Sequence, residues 1–348
     1  MMGRDLPHRR CVIAWLSACL LLAACSGSAT ASSSTDADPH PALGPSTPQP
    51  LPGRLLFLNF GGTPYSTLWT TRPGSTHMVQ ITNSRFNIWS PAISPDGTQI
   101  AFNRSRGPHH SDVLVLAKPD GSDQRMVHSL CGHSCTFFDE MTWTPDGQTL
   151  LMLMATGVRP GLTGAIWSIR IDGSHRTQLT FPGPSNSEGG FDDHHPSVAP
   201  DGASFVFDRI DESTGRHSTL ISSIDGGTPV VVPIPHDLNP GDPTWTPDGS
   251  RILFQSPPEP TPGHAQNFYT ILPDGTGLQQ ITHYEDAPGK YVGVFHPCFS
   301  PDGRYFSASE LIGNDRPGDI AIYTANGHRI LRMPSPLIEN NVVWGPSD

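Results

Sequence analysis

One short motif constrains this chain more than anything else in it. The tetrapeptide Ser94-Pro95-Asp96-Gly97 returns as Thr144-Pro145-Asp146-Gly147, Ala199-Pro200-Asp201-Gly202, Thr246-Pro247-Asp248-Gly249 and Ser300-Pro301-Asp302-Gly303. The aspartates stand 50, 55, 47 and 54 residues apart, and Gly345-Pro346-Ser347-Asp348 is a degenerate sixth copy. A bulky apolar residue sits two places before each proline: Ile93, Trp143, Val198, Trp245, Phe299 and Trp344. An apolar run follows most copies, as in Ile100-Ala101-Phe102 and Ile252-Leu253-Phe254. Proline presets φ, aspartate tolerates the next position and glycine takes the left-handed one, so each copy reads as a hairpin turn between two strands.

A second turn follows about 25 residues later in each unit, at Asp120-Gly121, Asp172-Gly173, Asp225-Gly226, Asp274-Gly275 and Asn326-Gly327, with Pro73-Gly74 as the earliest counterpart. Each unit is therefore four strands and two turns. Such a period is that of one propeller blade. The expected fold is an all-β, six-bladed β-propeller of four-stranded antiparallel blades over residues 54–348. Arg54-Leu55-Leu56-Phe57 matches Arg251-Ile252-Leu253-Phe254, a second strand, and Val342-Val343-Trp344 supplies the missing first strand. Both chain ends should thus build the first blade and leave no open sheet edge. The 35 glycines and 37 prolines of this 348-residue chain argue against long helices in the same direction.

Charge excludes one partner class. Lys+Arg number 21 against Asp+Glu 32, for a net charge of −11. Lys118 and Lys290 are the only lysines, and no basic run follows residue 10. A nucleic-acid partner needs clustered cations to neutralise phosphates, so none is expected.

The first 24 residues read as an export signal. Arg4, Arg9 and Arg10 form a positive region, and Cys11 to Ala24 is an apolar stretch too short to span a bilayer. Leu22-Ala23-Ala24-Cys25 resembles the bacterial lipobox, which implies cleavage before Cys25 and acylation of its thiol, palmitate-type chains included. Ordinary secretion with cleavage nearby is the alternative. Residues 25–53 are rich in Ser, Thr and Pro with little to bury, the composition of a disordered tether. The expected product is a monomeric, extracytoplasmic propeller anchored to a bacterial membrane by lipid.

The repeats resemble those of the TolB-like six-bladed β-propellers, with their WD40-like units, over residues 54–348. TolB docks other envelope proteins, so the resemblance implies an envelope protein or peptide as partner. TolB carries an additional α/β domain before its propeller, and only a tether is expected here. Prolyl oligopeptidase-type enzymes join the same propeller to an α/β-hydrolase domain, but no Gly-x-Ser-x-Gly elbow occurs in this sequence. Fold alone does not assign function.

Aligned on the turns, the residues five places before each proline are Ser90, Glu140, His195, Asp242, His296 and Asn341, all polar. They should ring one mouth of the central channel. Glu140, His195, Asp242 and His296 are the leading candidates for a ligand or divalent-metal site, since imidazole with carboxylate suits zinc, manganese or iron. Asp139, Asp193, His194 and Asn341 are secondary candidates. The alternative is that these residues cap strand ends and hold ordered water. Two functions remain open: a non-catalytic binding scaffold, or a small-ligand or carbohydrate binder or enzyme using a channel metal. No catalytic residue is assigned. His109-His110 reads as an exposed loop, because neighbours on a strand face opposite ways. Cys131 and Cys135 are expected to form a disulfide in an exported domain, and Cys298 to be a buried free thiol. The tryptophans beside the turns should pack between blades.

Overall fold

In the computed structural model, residues 50–60, 65–83, 85–105, 112–127, 135–156, 163–183, 190–258, 261–313, 319–333 and 339–347 are described. They form six four-stranded antiparallel sheets. Blade I contains β1 (Arg54–Asn59), β2 (Thr67–Thr71) and β3 (Met78–Gln80), and blade II β4 (Asn87–Ile93), β5 (Ile100–Ser105), β6 (Val113–Ala117) and β7 (Arg125–Val127). Blade III is β8 (Cys135–Trp143), β9 (Thr149–Thr156), β10 (Thr163–Arg170) and β11 (Thr177–Gln178). Blade IV is β12 (Phe191–Val198), β13 (Ser204–Asp211), β14 (Arg216–Ser223) and β15 (Val230–Val231). Blade V is β16 (Gly241–Trp245), β17 (Ile252–Ser256), β18 (Asn267–Ile271) and β19 (Gln279–Gln280). Blade VI is β20 (Tyr291–Phe299), β21 (Tyr305–Gly313), β22 (Asp319–Thr324) and β23 (Arg329–Met333). The last strand, β24 (Glu339–Gly345), returns to blade I and pairs with β1, placing Trp344 opposite Leu55.

The ring closes as the repeats require. The six innermost strands, β24, β4, β8, β12, β16 and β20, contact one another in turn around the axis. Second strands such as β1, β5 and β17 are buried almost throughout, whereas outer strands such as β3, β15 and β19 are mostly exposed. Blades stack on both faces of their neighbours, so second strands carry continuous apolar runs rather than alternating ones. Each apolar cluster straddles a seam between two blades. Trp143 packs with Leu114, Leu116 and Val127 of blade II, Trp245 with Val206 and Val232 of blade IV, and Trp344 with Ile320, Ile322 and Met333 of blade VI. The tryptophans are therefore inter-blade packing groups, as expected.

The Pro-Asp-Gly turns join innermost to second strands, and their chemistry repeats. The Ser94 hydroxyl donates to Asp96 at 2.6 Å and accepts from the Gln99 N–H at 3.0 Å, while the Thr98 N–H donates to Asp96 at 3.0 Å. Thr144, Thr246 and Ser300 make the same hydroxyl bond to Asp146, Asp248 and Asp302. These aspartates are consumed by their own turns. Gly97 adopts φ 74°, and a Cβ there would lie 3.0 Å from Pro346. The degenerate sixth turn thus packs against the first complete one and carries closure across the chain ends.

A candidate metal and ligand site at the channel mouth

The polar column has a backbone cause that its sequence does not announce. Ser90, Glu140, His195, Asp242, His296 and Asn341 all adopt left-handed φ, between 44° and 54°. Each sits where the pairing of an innermost strand with its second strand slips register, for example between His194 and Ser197 or between Phe295 and Cys298. They are bulge residues within strands, not caps at strand ends. A non-glycine residue in this region costs about 1 kcal/mol or more. Asn, Asp and His tolerate it best, which accounts for part of the column's polarity.

The bulges bring the four leading candidates together. His195 Nε2 lies 3.1 Å from Asp242 Oδ1 and 3.4 Å from Glu140 Oε1. His296 Nδ1 lies 2.9 Å from Asp242 Oδ2. The rings of His195 and His296 are 5.8 Å apart, and both side chains are a little over a quarter exposed. Two groups of three donors result, Glu140–His194–His195 and His195–Asp242–His296, with His195 common to both.

Backbone donors fix the arrangement. The His195 N–H donates to Glu140 Oε2 at 2.7 Å, and the His296 N–H donates to Gln255 Oε1 at 3.1 Å. The Glu140 N–H donates to Asp139 at 3.0 Å and to the Ser90 hydroxyl, which in turn donates to Asp139. Gln255, on β17, lies outside the aligned column, so register alone does not reveal it.

The electrostatics are polarised. Burial pushes the Asp139 carboxyl up to about 7, aided by its neighbour Glu140. Burial also opposes ionisation of Glu140, yet the imidazoles of His195 and His194 prevail and hold it down at about 2. Burial disfavours the His194 cation, but Glu140 raises it to about 10. Asp242 is likewise held well below the usual carboxylate range, because His195 and His296 outweigh its burial.

The secondary candidates separate. Asp139 and His194 join the cluster from the neighbouring column. Asn341 occupies its own bulge on the blade I side. Asp193 faces away: it is fully buried and accepts two bonds from Arg209, at 2.6 and 2.8 Å. It is a structural ion-pair carboxylate and drops out of the candidate ligand set. Behind the mouth, His217 lies 2.6 Å from Asp208 on β13, a buried pair with no signal in the turn alignment. Cys298 is a free thiol on β20 that accepts from the Trp344 N–H at 3.2 Å. Cys25, Cys131 and His109-His110 lie outside the described residues, and with Cys131 the expected disulfide.

Comparison with models of known protein families finds no match. Among curated proteins, the uncharacterized peptidase YuxL of Bacillus subtilis is 22% identical over 192 residues. That match takes in 55% of this chain and 25% of YuxL, so the chain spans about a quarter of that relative's length. Among solved structures, TolB from Acinetobacter baumannii superposes with a TM-score of 0.63 at 18% identity, over 85% of this chain and 67% of that one. The structure of a putative TolB from Agrobacterium tumefaciens gives 0.58 at 18%, over 81% and 88%. With its six closed blades and a returning C-terminal strand, the chain has the TolB-like six-bladed propeller fold.

Proposed function

We propose that this protein is a non-catalytic binding scaffold of the bacterial cell envelope, anchored through lipid on Cys25, that engages an envelope protein or peptide across the channel mouth. One observation carries the reading. Four of the six left-handed bulges place ionisable side chains in mutual contact at the mouth from four blades, with the two histidines part-exposed. A backbone that needs only a left-handed residue is served by Asn or Gly. Glu140 and two histidines in contact go beyond that need, so the surplus chemistry supports recognition. The propeller fold supports a scaffold role, and the export signal supports an extracytoplasmic one.

The test is site-specific photo-crosslinking in the host cell. A crosslinker at Phe295, beside the cluster, should capture one discrete envelope protein, and His195→Ala with His296→Ala should abolish the adduct. A crosslinker at Thr177 on outer strand β11 should not capture it. Adducts only from the outer strand would overturn the reading. The anchor has its own test: mass spectrometry of membrane-extracted protein should find acyl chains on Cys25, and a soluble product cut elsewhere would refute it.

A second reading is favoured by the two three-donor groups: a small-ligand or carbohydrate binder or enzyme working at a channel metal. Its first requirement is that a metal binds.

A further inference from the structure

We propose that His195, Asp242 and His296 hold a single divalent transition-metal ion at the channel mouth, with Glu140 as an auxiliary fourth donor. This rests on reading the mouth as the protein's binding site. The donors are spaced for it: His195 Nε2 to Asp242 Oδ1 is 3.1 Å, and His296 Nδ1 to Asp242 Oδ2 is 2.9 Å. An ion about 2.1 Å from each donor sets neighbouring donors about 3.0–3.4 Å apart. A slight outward relaxation of the imidazoles would admit it.

A second, independent observation concerns satisfaction. Asp242 Oδ2 is buried 2.9 Å from His296 Nδ1, a contact outside good hydrogen-bond geometry, although that imidazole still helps to hold the carboxylate ionised. The contact is short but misdirected, as when two donors converge on a third point. Buried polar atoms are otherwise satisfied as a rule, and exceptions call for an unplaced ion or water.

The choice between the two groups follows from lone pairs. His195 Nε2 has one, so it serves one ion, and the two groups cannot be filled together. Glu140 already accepts the His195 N–H on Oε2 at 2.7 Å and faces His194 Nδ1 with Oε1 at 3.2 Å. Asp242 accepts no such backbone bond among the described contacts. The ion therefore belongs with Asp242. Glu140 Oε1, 3.4 Å from the shared nitrogen, is placed to add a ligand or to orient one. His194 then positions Glu140 rather than touching the ion.

Two imidazoles and one carboxylate favour borderline ions such as zinc or iron over the harder manganese, and disfavour calcium and magnesium, which take all-oxygen shells. The bulge backbones, with φ of 48°, 48° and 54°, hold the three ligands from three successive blades. Exposure of both imidazoles toward the channel leaves coordination positions for water or an oxygen atom of a ligand.

The test is isothermal titration of the full chain, stripped with chelator and dialysed, using zinc, manganese and calcium chlorides. The expected result is one equivalent of zinc, weaker manganese and no calcium. His296→Gln and Asp242→Asn should each weaken zinc at least about 100-fold, Glu140→Gln about tenfold, and His194→Gln by less than that. Circular dichroism confirms the fold of each variant. If Asp242→Asn does not fold, the exposed His296→Gln decides alone. Absence of stoichiometric zinc overturns the proposal, as does wild-type affinity in His296→Gln or a loss confined to Glu140→Gln and His194→Gln. Failure of the metal with the Phe295 adduct intact would sink this inference and leave the scaffold reading standing.

Discussion

Two buried carboxylate clusters in this propeller are built from different bases. In blade VI, Glu310 is fully buried and accepts from Arg329 Nη1 at 2.7 Å and from the Tyr284 and Tyr323 hydroxyls, with Arg332 Nε at 3.2 Å. At the mouth, Glu140 and Asp242 are met by His194, His195 and His296. Guanidinium keeps its charge at every accessible pH and offers a fork that fits a carboxylate. Imidazole can give up its proton and present a lone pair to a metal. The Glu310 network is suited to holding blade VI together, and the mouth to exchanging one counter-charge for another. Asp193 with Arg209 belongs to the first kind although it sits one residue from His194.

The largest effect should come from breaking the first kind. Glu310→Ala strands Arg329, leaves Arg332 only Asp319 and removes the carboxylate acceptor of the Tyr284 and Tyr323 phenols, so it should cost about 3–5 kcal/mol in urea unfolding. A loss under about 1 kcal/mol would show that the two clusters do not differ as argued. Truncation of residues 340–348 is a still harsher control, since blade I loses its innermost strand; a variant melting like the wild type would contradict the closure.

Next comes pH, measured in chelator-containing buffer so that protons alone act. His194 is raised to about 10 in the folded protein, so its contribution is full below pH 6.5 and is lost as pH climbs toward 10. Asp139, raised to about 7, also loses its contribution with rising pH, between about 4 and 7. Glu140, lowered to about 2, contributes above its ordinary 4.5 and loses that contribution as pH falls toward 2. Stability should therefore peak at about pH 4 to 4.5, fall gently toward pH 7 as Asp139 ionises, and fall again above about pH 6.5 as His194 loses its proton. His194→Gln should flatten the alkaline side, and an unchanged alkaline limb would contradict the assignment. Glu310→Gln should leave the shape of that limb unchanged.

The smallest effect sharpens the difference between backbone need and side-chain chemistry. Asn341→Gly keeps the left-handed bulge and should change stability by less than about 1 kcal/mol. His296→Gly also keeps the bulge, but it should abolish the Phe295 adduct. Equal behaviour of the two variants in crosslinking would remove the distinction.

The turns were readable because their grammar is strict: Pro-Asp-Gly fixes φ and the spacing in all five copies, and a preceding Ser or Thr adds the side-chain bond in four of them, Ala199 being the exception. The blade count and the closure of blade I by Val342 to Gly345 followed from that register. The mouth was only half readable. The column alignment found Glu140, His195, Asp242 and His296, but it offered strand-end capping as their structural role. The left-handed bulge accepts Ser, Glu, His, Asp and Asn alike, so no single residue type marks it. Asp193 shows the same limit. Its place beside His194 suggested a shared site, whereas the alternation of β12 turned it to Arg209. Gln255 and the Asp208–His217 pair come from second and third strands, beyond the reach of an alignment anchored on the innermost ones.

The claim that the mouth holds a metal ion is tested most directly by elemental mass spectrometry. The full-length protein would be purified from its host without chelator or histidine tag. About one equivalent of zinc, manganese or iron is expected in the wild type and in Glu310→Gln, with none in His195→Ala or His296→Ala. A metal-free wild type, or metal retained by both histidine variants, would contradict the metal centre and leave the scaffold reading to the Phe295 crosslink.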